Sequence, residues 1–242
     1  MATNLMVIGP AGSGKTSLTS KLSEWMVQSG ISSCVINLDP GAERLPYLPD
    51  YDIRSIVRVC DLMEKEGLSP NGALIKASEI IESRIGDVAG SIHSLQGDFK
   101  IIDTPGQMEL FLFRQLGSSL ASKLRGKTAA IMLLDLSAVS GADYAALRLL
   151  GLIAELKLGV PSLDVLSKSD LLDRKASVLW QERITAPKSE GLKGEFVHNL
   201  SSLLSDLEKR KRVIAVSSVS GEGLEALYKA LGELFCSCGD LS

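Results

Sequence analysis

Residues 9–16 read Gly9-Pro10-Ala11-Gly12-Ser13-Gly14-Lys15-Thr16, directly after an apolar run at 4–8 and at the start of a helical pattern over 15–29. Glycines at this spacing let backbone N–H groups turn toward one point and let a phosphate approach closely. A helix that opens at Lys15 adds the positive end of its dipole. The segment fits G-x-x-x-x-G-K-[ST] at every fixed position and stands between a strand and a helix, as a phosphate-binding loop must. On this reading Gly9, Gly12, Ser13, Gly14 and Ser17 surround the phosphates of a nucleotide. Lys15 reaches the β- and γ-phosphates, and the Thr16 hydroxyl ligates Mg2+.

The rest of the chain supplies the sheet such a loop needs. Apolar strand-like runs at 4–8, 33–38, 99–102, 128–134, 161–166 and 213–217 alternate with helical patterns at 15–29, 54–66, 71–95, 108–123, 171–185, 196–210 and 221–235. This alternation predicts an α/β fold: a P-loop NTPase with a mostly parallel central sheet flanked by helices. Residues 39–52 read as a loop rich in Pro and Asp. About 40 helical residues separate the second and third strands, so a hairpin is excluded and a right-handed parallel crossover is expected. No linker or repeat interrupts the chain. One domain is expected over 1–242, with a helical insertion at about 173–212 before the last strand.

Composition removes several classes. Hydrophobic residues make up 45% and charged residues 23% of 242, an ordinary globular balance. Twenty-six Lys and Arg against 29 Asp and Glu leave a net charge of −3, without the basic excess of a nucleic-acid binder. The apolar stretch 128–158 is cut by Asp135, Asp143 and Arg148, so no membrane span is expected. The first residues show no basic n-region, and four cysteines are too few for a disulfide scaffold; both point to a cytoplasmic protein. Cys34 and Cys60 are isolated, and Cys236-Ser237-Cys238 has no second metal-spaced pair in the chain. Lys209-Arg210-Lys211-Arg212 reads as a solvated helix end, and His93 and His198 as surface residues.

Two further strand ends carry chemistry. The run 99–102 ends in Asp103-Thr104-Pro105-Gly106-Gln107. An acid at the end of a strand beside a phosphate loop is a Mg2+ partner, although an Asp there also suits a helix cap. Gly106 can direct its N–H to a γ-phosphate, Gln107 can orient the attacking water, and Glu109 can assist as an acceptor. Gln107 and Glu109 equally suit the polar first turn of the helix 108–123. Ser167-Lys168-Ser169-Asp170 follows the strand at 161–166 and resembles the N-K-x-D element that reads guanine, with Ser167 replacing Asn. Asp170 can accept from N1–H and the 2-amino group, a pair adenine does not offer, while the Lys168 stem lies along the base; by itself the segment equally suits a helix N-cap. Ser217-Ser218-Val219 ends the last strand, where a backbone N–H can meet the guanine O6.

These elements stand with Asn37-Leu38-Asp39-Pro40, Leu45-Pro46-Tyr47, Asp52-Ile53-Arg54, Pro70-Asn71-Gly72-Ala73, Asp103 to Glu109 and the tail Cys236 to Leu241. On them the chain resembles a GPN-loop GTPase of the archaeal homodimeric type. The resemblance implies hydrolysis of GTP to GDP with Mg2+ and a nucleotide-dependent conformational switch. It further implies a homodimer joined at the GPN-loop face, with Asn71 approaching the phosphates of the other subunit. It makes Asp39 a carboxylate near the attacking water or in the Mg2+ shell, although an Asp before Pro40 equally suits a turn. Eukaryotic relatives act in RNA polymerase assembly, so an assembly module that uses GTP only to change shape is an alternative. A small-molecule phosphotransferase is another, but the basic acceptor cluster it needs is not visible. Here the loop reads Ser69-Pro70-Asn71 without the first glycine. Ser69 is strained if that site demands positive φ, and unstrained if Ser69 caps a helix with Pro70 as its first residue.

Overall fold

The strand preceding the phosphate loop, β1 (Thr3–Ile8), is buried at all six positions. A strand covered on both faces belongs in the middle of a parallel sheet with helices on each side. The computed structural model, which describes residues 2–135, 141–171 and 213–237, places it there. Its partners are β2 (Ser33–Asn37), β3 (Tyr51–Asp52), β4 (Phe99–Asp103), β5 (Lys127–Asp135), β6 (Ser162–Ser167) and β7 (Val213–Ala215). The order is β3-β2-β4-β1-β5-β6-β7, and every pairing is parallel. The expected crossover from β2 to β4 is present. The register sets Val7 and Asn37 opposite Asp103, so the loops that follow β1, β2 and β4 emerge together at one edge.

Alternation along the strands sorts the core into two layers. Leu5 and Val7 pack with Leu18, Leu22 and Met26 of α1 (Lys15–Gln28) and with Leu224, Leu227 and Leu231 of α8 (Leu224–Ser237). Met6 and Ile8 face the opposite layer. That layer holds α2 (Val59–Glu66), α3 (Pro70–Ser83), α4 (Ile85–Ser94), α5 (Met108–Phe113), α6 (Gln115–Lys123) and α7 (Gly141–Leu158).

Four expectations need correction. The stretch 54–66 is one short helical turn at Ile53–Ser55 and then α2 from Val59, separated by an extended Arg58 (φ −123°, ψ 136°). The helical stretch 71–95 is two helices, broken at Arg84 (φ −111°, ψ 15°), which re-aims the apolar stripe from Ala77 and Ile81 to Ile85, Val88 and Ile92. The stretch 108–123 breaks at Arg114 (ψ 176°), because α6 packs back on α5: a Cβ on Gly117 would lie 2.5 Å from the Phe111 carbonyl oxygen. The loop 39–52 ends in the edge strand β3, too short for a periodic signal, paired with Ile36 and Asn37. The helical insertion at 173–212, His198, the 209–212 basic run and Cys238 lie outside the described residues. No helix among the described residues is long and apolar enough to cross a membrane.

Candidate nucleotide site

The turn from β1 into α1 is set by its glycines. A Cβ on Gly9 (φ +154°) would lie 2.8 Å from Ser13 Oγ and 2.9 Å from the Leu133 carbonyl oxygen. Gly14, at φ +92°, is the N-cap of α1, and Gly12 has φ +76°. Ser13 is buried, and its hydroxyl has no hydrogen-bond partner. Lys15 is also buried; its Nζ donates to the carbonyls of Gly9 at 2.8 Å and Pro10 at 3.0 Å. Burial pushes the Lys15 ammonium below its ordinary pKa, against the opposing pull of Asp103, Asp39 and Glu109. Thr16 is half-buried beside it, and Ser17 is exposed.

Asp103 ends β4 and is 1% exposed. Its Oδ2 accepts a 2.7 Å hydrogen bond from the Tyr47 hydroxyl, and its Oδ1 is buried with no well-formed hydrogen bond, the Thr16 hydroxyl lying near the carboxyl. Burial pushes the carboxyl up to about 6, with the charge of Asp39 adding and with Tyr47, Thr16 and Lys15 opposing. Asp103 does not cap a helix; the N-cap of α5 is Gln107, whose side chain makes no capping bond. The following turn is held by Thr104 Oγ1, which donates to the Val7 carbonyl at 2.7 Å.

Asp39 lies just past β2 and joins two loops. Its Oδ1 accepts from Gly41 N–H at 2.8 Å, and its Oδ2 from Gly106 N–H at 3.0 Å. Fully buried Asn37 grips the same residue from below. Its Oδ1 accepts from Asp39 N–H at 3.0 Å, and its Nδ2 donates to the Asp39 carbonyl at 3.3 Å and to Asp52 Oδ1 at 2.9 Å. Arg54 pairs with Asp52 at 2.6 Å and donates to the Ala42 carbonyl at 2.9 Å. The Gly106 N–H expected for a γ-phosphate is thus donated to Asp39 here. Gln107 Oε1 is buried without a partner, and Glu109 is exposed in the first turn of α5.

Asp103 Oδ1, the Thr16 hydroxyl and the Asp39 carboxylate are hard oxygen donors around Lys15. Among the described residues no group of three or more His, Cys, Asp or Glu is placed to hold a metal ion. Few protein oxygens, one of them buried with no well-formed hydrogen bond, fit a Mg2+ that takes most of its shell from phosphate and water.

The other end of the edge holds the second strand-end cluster. Lys168 has φ +59°, the one non-glycine positive φ among the described residues, and its Nζ pairs with Asp135 at 2.6 Å. Exposed Asp170 accepts at Oδ1 a 2.6 Å hydrogen bond from Ser217 Oγ. That oxygen in turn accepts from the N–H groups of Val219 (3.2 Å) and Ser220 (3.1 Å). Ser167 is buried, and its hydroxyl donates to the Leu134 carbonyl at 3.3 Å. Ser218 is half-buried and Val219 exposed.

Ser69 has φ −64° and caps α3: its Oγ accepts from Gly72 N–H at 3.3 Å, with Pro70 as the first helical residue. The missing glycine therefore causes no backbone strain, and Asn71 stands exposed at the helix start. The residues missed in the sequence are Tyr47, Asn37, Arg54 and Asp135 as contact makers. Asp135 ends a buried strand, the signal that singled out Asp103. Asn37, Tyr47 and Arg54 stand in the segments that carry the family resemblance, but no period or spacing points to their contacts.

A family model described as "Conserved hypothetical ATP binding protein" matches residues 7–237. The GPN-loop GTPase PAB0955 of Pyrococcus abyssi is 30% identical over 251 aligned residues, covering 98% of this chain and 99% of that protein. The chain belongs to the GPN-loop GTPases, a family of GTP hydrolases. The crystal structure of the P. abyssi GTPase in its apo form has a TM-score of 0.88 to this fold, with 29% identity and 98% of each chain covered. GPN-loop GTPase 3 of Mycosarcoma maydis is 34% identical over 70% of this chain, and GPN-loop GTPase 1 of Dictyostelium discoideum 25% identical over 95%. This chain spans 62% and 60% of the length of those two relatives.

Proposed function

We propose that this GPN-loop GTPase is a single-domain, homodimeric, Mg2+-dependent switch whose phosphate end is completed by the second copy. Gly9, Gly12, Ser13, Gly14 and Ser17 surround the phosphates, and Lys15 neutralises them. Thr16 and Asp103 hold Mg2+, which offsets the charge that builds on the phosphate oxygens during transfer. Asp170 and Lys168 read guanine, with the backbone of Ser217, Ser218 and Val219 at its O6 edge.

The single observation that carries the switch is the bond from Gly106 N–H to Asp39. A γ-phosphate competes for that N–H. Its arrival frees an Asp39 oxygen to accept from the attacking water, or to take up the outer shell of Mg2+, while Gln107 aligns the water and Glu109 supplies a further acceptor. Once phosphate leaves, the Gly106–Asp39 bond re-forms. Two groups thus exchange partners with the nucleotide state, and the loops after β2 and β4 move together. Asn71 of the second copy donates to a phosphate oxygen or accepts from the water. Exposed Ile75, one turn along α3, and exposed Phe113 and Leu156 support an apolar contact between copies.

Turnover of GTP and ATP, measured together with solution mass, tests the reading. The expected result is GTP cleavage without ATP competition, by a particle of twice the chain mass. Equal use of both nucleotides, or turnover by a stable monomer, contradicts it.

A further inference from the structure

Tyr47 has no part in the roles above, yet its side chain touches the acid at the end of β4. It sits in the surface loop between β2 and β3, next to Leu48, which is 92% exposed. The phenol turns the other way, inward, and donates to Asp103 Oδ2 at 2.7 Å. Anchors on both sides fix where the loop passes. Asp50 is bound to Val35 through its own N–H (2.8 Å) and through its carboxylate (2.7 Å), and Arg54 holds the Ala42 carbonyl at 2.9 Å.

The contact makes the two carboxylate oxygens unequal. An Asp side chain has a broad, roughly two-fold torsion at its end, so unrestrained it offers either oxygen over a range of angles. With Oδ2 held by Tyr47 the swing of Oδ1 is restricted, and it lies buried with no well-formed hydrogen bond, with the Thr16 hydroxyl near the carboxyl. A phenol facing a carboxylate donates its single proton and asks for nothing in return.

We propose that Tyr47 is a positioning residue for the metal: by holding Asp103 Oδ2 it presents Oδ1 toward Mg2+. The proposal rests on the reading of Asp103 as the carboxylate that faces Mg2+. Outer-shell partners of this kind typically change metal affinity about 10- to 100-fold when removed. The loop after β2 thereby reports on the metal as well as on the γ-phosphate.

The test follows release of a fluorescent GDP analogue while Mg2+ is titrated, in the unmodified protein and in Tyr47→Phe, Leu48→Ala and Asp103→Asn. Tyr47→Phe should raise the Mg2+ concentration for half-maximal slowing of release about tenfold. Its release in EDTA should stay unchanged, its melting temperature in EDTA should fall only by the few degrees that one lost buried hydrogen bond costs, and Leu48→Ala should follow the unmodified protein. An unmoved midpoint in Tyr47→Phe, with the Mg2+ effect abolished in Asp103→Asn, overturns the role of Tyr47 and leaves Asp103 in place. The same holds if Tyr47→Phe speeds release in EDTA without moving the midpoint, or if Leu48→Ala moves it equally. If Asp103→Asn keeps the full Mg2+ effect, the reading of Asp103 fails and the proposal with it.

Discussion

The two ends of the nucleotide edge are built by different means. At the phosphate end the ionisable groups are buried and cross-tied: Lys15 to its own loop carbonyls, Asp103 to Tyr47, and Asp39 to Gly41 and Gly106. At the base end the reading carboxylate is exposed and hangs on one hydroxyl, Ser217, while Lys168 is held by Asp135 in a left-handed backbone. Buried, mutually bonded groups cost a great deal when one is removed, since the remaining partner stays desolvated. An exposed carboxylate costs the fold little and acts mainly when a ligand covers it. The phosphate end should therefore govern affinity and rate, and the base end should govern only which base is accepted.

The largest expected effect is that of Lys15→Ala. It should lower affinity for GTP, GDP and xanthosine nucleotides alike, by about 100-fold or more, because phosphate charge loses its buried counter-ion. Titration with all three checks it; a base-dependent loss would erase the distinction between the ends. Asp170→Asn is the mirror case. It should shift preference from guanine to xanthine by about 2–4 kcal/mol in competition binding, without slowing hydrolysis of whichever nucleotide is bound. Gln107→Ala stays within the phosphate end and separates chemistry from binding. Single-turnover hydrolysis should slow about 100-fold while GTP affinity stays within a few-fold. A parallel loss of both would make Gln107 a support for its loop instead.

The same contrast explains what was legible before the structure. The phosphate loop could be read because glycine positions, a lysine and a hydroxyl answer to backbone geometry within eight residues. The parallel crossover followed from the length of the helical stretch between two strands. Asp103 stood out as an acid closing an apolar strand. Tyr47 did not, since its role depends on Asp103, 56 positions away, and the loop around it has no period. Nor did the breaks at Arg84 and Arg114 show, because tertiary packing and not local propensity sets them. At the base end Ser167 departs from the usual Asn, and the support for Asp170 comes from Ser217 across the sheet, 47 positions on.

A smaller effect depends on pH. Burial pushes the Asp103 carboxyl up to about 6, so the charged form that Mg2+ needs is complete only above that value. Protons compete with the metal below it, and Mg2+ affinity should fall by up to about tenfold per pH unit on acidification, while staying flat above about pH 7. Mg2+ titrations at a series of pH values check this, and Asp103→Asn should flatten the profile.

The claim at the centre is that the phosphate end is shared between two copies. Mixing two inactive variants tests it most directly. Asn71→Ala lacks the group supplied in trans, and Lys15→Ala lacks the phosphate site supplied in cis. In a mixed dimer one intact Lys15 pocket meets one intact Asn71, so GTP hydrolysis should return, up to about half that of an unmodified dimer. Verified heterodimers that hydrolyse no GTP would contradict the shared site and leave Ser69-Pro70-Asn71 as a helix cap and nothing more.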